Sequence, residues 1–369
     1  MKYDAITVDT ETVEQNGFRF DGGLLAQLKQ FVDGPTKVII STVVVSEVLK
    51  HLTEKTRSAK DGLEAAYKKA VDFGLKMHGD FAFVDPAPDE RAVAKKRLDQ
   101  FCKEIGAHLL AVDDVPMRDL VRLYFTQAPS FSAAGKKKAE FPDAIALLSL
   151  EEWATTNEKR ILAVSVDKDW AAYAEKSERI DVVSKLSDAL AMLQEHAEEA
   201  GGFVQKLLAD MQEGRREKMK AQFVSCLREG VSDYGYAVYA EADSAYPFEE
   251  GEVELTLLDY TLPSDEESYI CKVVQAGPRK IVARIELELN VHAQASFSLS
   301  MYDSIDKDYT PMGSANAETE ETFEVAVLVT FQGDFNSENV EISAAEVVDG
   351  PLSIDFGYIE PDRGDDYYR

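Results

Sequence analysis

The hydrophobic period changes once along this chain of 369 residues, at about Tyr234. Before that point, short apolar runs alternate with segments whose apolar residues recur every three or four positions. After it, apolar and polar residues alternate through many short runs separated by turn residues. Strands alternating with helices argue for a mostly parallel sheet covered by helices. Period-two runs with Gly, Pro and Asn turns argue for an antiparallel sandwich or barrel. A chain this long exceeds one typical domain. The expected organisation is an α/β domain over 1–190, a helical linker over 191–229 and a β-rich domain over 230–369.

Within the first part, KYDAITVDT, KVIISTVVV, AHLLAV, RILAVSV and IDVVS read as strands. The second is apolar nearly throughout, as a strand buried on both faces should be. Ser46 then reads as the N-cap of a helix beginning SEVLKHL, which continues with a break at Asp61-Gly62 through GLEAAYKKAVDFG. Further helices are expected over PDERAVAKKRLDQFCKEIG, VPMRDLVRLYFTQ, FPDAIALLSLEEWAT and DKDWAAYAEKS. A helical stretch follows from Lys185 to Arg228, and Gly201-Gly202 is expected to divide it. KIVARIELELNV and ASFSLSMYD read as two of the later strands, and DRGDDYYR as a tail.

Charge narrows the function. The net charge is −28, and it is unevenly placed: residues 1–200 hold 27 basic and 34 acidic side chains, whereas 230–369 hold 7 against 30, a net of −23. A surface that negative repels phosphates, so the second domain is not expected to bind nucleic acid. It suits a basic protein partner, self-association, shielding of a phosphate-binding cleft, or simply a soluble accessory domain. Three widely spaced cysteines, Cys102, Cys226 and Cys271, suggest neither disulfides nor a zinc site and fit a reducing cytoplasm. No apolar run is long enough to span a bilayer, and the first residues lack the pattern of a signal peptide.

Four acids carry the chemistry. Asp9 and Asp167 follow apolar strands, and Glu47 and Asp143 lie near helix starts. In an open α/β sheet, those places converge on the crevice at the carboxyl ends of the strands. Carboxylates gathered there repel one another unless a cation neutralises them. A hard divalent ion with oxygen ligands is the simplest neutraliser, and Mg²⁺ is held by a few carboxylates plus water and substrate phosphates. Any one such acid is more often a helix cap than a ligand; four at one sheet edge are harder to explain that way. Thr10 and Ser165 are placed to hydrogen-bond the carboxylates or a phosphate. Lys136, Lys137 and Lys138 form either a solvated loop or a phosphate grip. Arg91, Lys95, Lys96 and Arg97 read as a solvated helix face, with a surface that tracks an RNA backbone as the alternative. Trp170 reads as core or as a platform for a base. His51, His78 and His108 lack metal spacing.

With Asp9-Thr10 after the first strand, Glu47 in the helix after the second, Asp143 in FPDAIAL and Asp167 with Asp169 in SVDKDW, residues 1–190 resemble the PIN domain family. The likeness is to relatives with a larger helical insertion. It implies a compact α/β/α fold and a Mg²⁺- or Mn²⁺-dependent nuclease acting most often on RNA, with DNA as the other substrate. It would make Asp9, Glu47, Asp143 and Asp167 catalytic metal ligands, Asp9 central. Asp169 remains a further ligand or the cap of the next helix. Many relatives are the toxin of a toxin–antitoxin pair; a part in defence is the same extension. Two rival readings remain. One is a haloacid-dehalogenase-like phosphatase, which Asp9-Thr10-Glu11-Thr12, Ser41 and Asp113-Asp114 loosely resemble, although that family has Asp where Glu11 stands. The other is an inactive PIN-fold binding protein.

Overall fold

The computed structural model describes residues 2–72, 74, 89–126, 128, 131, 141–194, 197–265, 268–303, 307–335 and 339–362. The chain divides into two compact units, Met1–Glu195 and His196–Arg369.

The first unit holds β1 (Ala5–Val8), α1 (Thr10–Gln15), α2 (Gly23–Ala26), β2 (Lys37–Ser41), α3 (Thr42–Asp72), α4 (Glu90–Glu104) and β3 (His108–Leu110). These are followed by α5 (Met117–Thr126), α6 (Phe141–Thr156), β4 (Ile161–Val164), α7 (Lys168–Ala174), β5 (Ile180–Val183) and α8 (Leu186–Met192). Its five strands are parallel in the order β3-β2-β1-β4-β5, as the alternating pattern predicts. Every residue of β1 and β4 is buried, which is why these runs read as continuously apolar. The order reverses between β1 and β4, so the crevice opens beyond Val8 and Val164.

The strand expected over KVIISTVVV ends early. The Ser41 hydroxyl accepts the Val43 amide at 3.4 Å, and the chain turns into α3 at Thr42. Val44, Val48 and Leu52 then recur at helical spacing and are 2–4% exposed, so packing overrides the strand preference of the valines. Ser46 is therefore inside the helix and not its cap; its hydroxyl donates to the Thr42 carbonyl at 2.7 Å. Nor does Asp61-Gly62 break the helix, which runs unbroken to Asp72.

The second unit begins with α9 (Ala197–Gln212) and α10 (Glu217–Gly235), so these helices, expected as a linker, belong to its core. After them come β6 (Tyr239–Asp243), β7 (Phe248–Thr261), β8 (Ser264–Asp265), β9 (Ser268–Tyr269) and β10 (Cys271–Ala276). The last four strands are β11 (Lys280–Asp303), β12 (Asp308–Gly333), β13 (Val340–Asp349) and β14 (Ser353–Tyr358). The antiparallel sheet runs β10-β11-β12-β13, with β7 also on β11. KIVARIELELNV and ASFSLSMYD, expected as two strands, are one strand of 24 residues. Alternate side chains from Ile281 to Leu299 are buried along β11. They meet Val204, Leu208, Phe223 and Leu227 of α9 and α10, and Ile354 of β14. Two helices and the parallel β6–β14 pair thus close the face that a sandwich would cover with a second full sheet. Period two shows that one face is apolar; it does not show what covers it. The expected tail from residue 363 lies outside the described residues.

Gly201 and Gly202 lie inside α9 rather than between two helices. A methyl group at either position would meet nothing within 4 Å, so only the conformational cost of glycine is at stake there. Gly201→Ala and Gly202→Ala are each expected to stabilise the protein, by about 0.5–1 kcal/mol, measured as a higher urea midpoint with an unchanged slope.

Candidate functional site

Asp9 is the first residue beyond β1 and caps α1, its Oδ1 accepting the Thr12 amide at 2.6 Å. Its Oδ2 accepts the Ser165 hydroxyl at 2.5 Å. The side chain is 4% exposed. Burial raises its pKa, the bonds from Ser165 and Thr12 oppose that rise, and the charge of Asp167 adds to it. Ser165, one residue beyond β4, also accepts the Asp167 amide at 3.0 Å. Asp167 in turn caps α7 by accepting the Asp169 amide at 2.6 Å. The cap of that helix is thus Asp167 and not Asp169. Asp9 and Asp167 are therefore both helix caps, each just beyond the carboxyl end of a central strand.

Glu47 stands in the second turn of α3, where its Oε2 accepts the Thr10 hydroxyl at 3.0 Å. Thr10 and Ser165 therefore direct their hydroxyl protons to carboxylates. One turn further along both helices, His51 Nδ1 meets Glu14 Oε1 at 2.8 Å. His51 had no role on sequence alone, yet α1 and α3 are joined by these two rungs, each four residues from the other. That i, i+4 spacing was the signal available.

Asp143 lies in the first turn of α6, and the Trp170 indole N–H donates to its Oδ1 at 2.9 Å. Trp170 is 1% exposed, which rules out the expected alternative of stacking on a base. Burial pushes the Asp143 carboxyl up to about 6; the Trp170 bond opposes this, and the charges of Asp167, Glu47 and Asp9 add to it. Acids from four separate segments thus share one electrostatic environment. They are the acids of the nuclease reading; the phosphatase reading calls on the pair Asp113-Asp114 instead, and Asp113 is exposed.

Lys136, Lys137 and Lys138 lie outside the described residues, as does His78. Of the basic face on α4, Arg97 donates to the Phe18 carbonyl at 2.8 Å and lies 5.2 Å over the Phe20 ring. Lys95 pairs with Asp99. Those two cations already serve the protein itself.

Among the described residues, no three His, Cys, Asp or Glu side chains close on one point as a ready metal cage. The donor chemistry still fits a hard divalent cation, because every donor is a carboxylate oxygen and the acids act on one another. Mg²⁺ keeps several waters and needs only one or two direct carboxylates, so wider spacing suits a hydrated ion.

Among curated proteins and solved structures, no match was found. Residues 6–170, within the N-terminal unit, match the family model described as PIN domain.

Proposed function

We propose that the N-terminal unit is a metal-dependent endoribonuclease whose acids are Asp9, Glu47, Asp143 and Asp167. The observation that carries this is the linkage of the four acids: Ser165 bonds both Asp9 and the amide of Asp167, Thr10 beside Asp9 bonds Glu47, and Trp170 on the helix that Asp167 caps bonds Asp143. That much unneutralised carboxylate at a sheet's switch point is costly unless a cation is shared there. Mg²⁺ or Mn²⁺ would be held directly by one or two of these four carboxylates and through its waters by the others, with Asp169 beside them. Once bound, such an ion polarises the scissile phosphate and lowers the pKa of the attacking water. The chain's own part is to fix the acids: Ser165 and the Thr12 amide hold Asp9, Thr10 holds Glu47, and Trp170 holds Asp143. RNA is preferred to DNA on family grounds, and a toxin or defence role extends the same likeness.

The second unit fits a protein partner rather than nucleic acid. Its sheet carries Glu252, Glu254, Glu318 and Glu320 on one exposed face. Complementary charge would come from a basic protein surface, so the unit would dock such a partner or mediate self-association. No helix among the described residues is long and apolar enough to cross a membrane. The three free cysteines fit a cytoplasmic setting.

The test is cleavage of single-stranded RNA and DNA of matched sequence in Mn²⁺ or EDTA. Cleavage of RNA in Mn²⁺ alone is expected, and Asp9→Asn should lower its rate at least a hundredfold, beyond the loss typical of a residue that only supports a ligand. Cleavage of DNA alone would overturn the RNA assignment. An Asp9→Asn variant as fast as the parent would overturn the site.

A further inference from the structure

A buried indole needs a partner for its N–H. Trp170 finds one on another helix, 27 residues away in sequence, in the Oδ1 of Asp143. Among the described residues, Trp170 is the donor that Asp143 has. Trp170 is also three residues beyond Asp167 on α7. Asp167 is tied through its amide to Ser165, and Ser165 to Asp9. One short helix therefore connects three of the four acids, and Trp170 is its link to the third.

We propose that Trp170 is a positioning residue: its indole N–H holds the Asp143 carboxylate in the orientation that receives the divalent cation, an inference that rests on the nuclease reading above. The indole occupies one carboxylate oxygen, leaving the other for the ion or its water. Such partners orient ligands, and their loss weakens metal binding about ten- to hundredfold. Phenylalanine keeps most of the ring and removes the donor, so it separates orientation from packing.

The experiment uses the full-length protein and Mn²⁺ alone. Calorimetry is expected to show Mn²⁺ binding to the parent, and a dissociation constant about ten- to hundredfold higher for Trp170→Phe. The chain has two tryptophans, so a ¹⁵N-labelled sample gives two indole signals, assigned with Trp153→Phe. Substoichiometric Mn²⁺ should broaden the Trp170 signal before that of Trp153. This second measurement needs no substitution at 170, so it decides even where Trp170→Phe folds poorly. Mn²⁺ binding that leaves the Trp170 signal sharp, or equal affinity in a folded Trp170→Phe, overturns the positioning role and leaves the nuclease reading standing. Absence of Mn²⁺ binding to the parent overturns the nuclease reading, and the positioning role with it.

Discussion

Asp143→Asn is expected to raise the melting temperature of the cation-free protein while lowering Mn²⁺-dependent cleavage at least a hundredfold. Both effects come from one carboxylate. The ordinary Asp value near 3.8 becomes about 6 in the folded chain, mainly through burial. An acid whose native pKa lies above its unfolded value destabilises the fold when ionised. That cost is absent below about pH 4, grows as pH rises through the window to about 6, and is complete above it. A two-unit shift corresponds to roughly 3 kcal/mol. Asp143 is only half-buried by surface area, so about 1–2 kcal/mol is the better expectation after solvent screening. Asparagine removes the charge and keeps an oxygen for the Trp170 indole.

The order of stability should therefore invert with conditions. In EDTA at pH 7.5, the variant melts a few degrees higher, and the difference vanishes as pH falls towards 4. In Mn²⁺, the parent gains stability through binding and the variant gains less. Differential scanning calorimetry in both buffers checks this. A variant that melts lower in EDTA at pH 7.5 would show that Asp143 is held by favourable contacts rather than kept at a cost. Such an exchange of stability for function is common at active sites.

Sequence showed the parallel sheet because its central strands are buried on both faces, and it singled out four acids, two just after apolar strands and two near helix starts. It did not show where β2 stops. Val43, Val44 and Val45 read equally as strand or as a packed first turn of helix, and only the surroundings of Val44 decide. The supports of the site were partly visible. Thr10 and Ser165 adjoin the acids in sequence, whereas Trp170 meets Asp143 only through the packing of α7 on α6. His51 and Glu14 left only the i, i+4 spacing from Glu47 and Thr10 as a mark, and their pairing between two helices shows only in the packing. Asp167 illustrates a different limit. A cap and a cleft acid have the same local signature, and the cap that Asp167 makes on α7 does not distinguish them.

Gly230→Ala is expected to destabilise the second unit by about 3 kcal/mol or more, near the upper end for forced overpacking. Helix α10 crosses the sheet so closely that a methyl group at 230 would stand 2.0 Å from the Ala345 carbonyl oxygen of β13. At Gly235, it would stand 2.6 Å from the Val253 oxygen of β7. Neither obstacle is a flexible side chain; each is strand backbone held in a ladder. The helix would have to lift, and Phe223, Leu227 and Val231, all at most 1% exposed, would lose contact with the strands beneath them. Helix propensity alone favours alanine by roughly 1 kcal/mol, so the sign of the result separates the two effects. Urea unfolding of the full-length protein, with Gly201→Ala and Gly202→Ala alongside, sets that comparison in one helical pair. The three substitutions are chemically identical, and only the first should lower the midpoint. A Gly230→Ala protein within about 0.5 kcal/mol of the parent, the usual range for a surface change, would mean that α10 does not lie against the sheet at backbone contact.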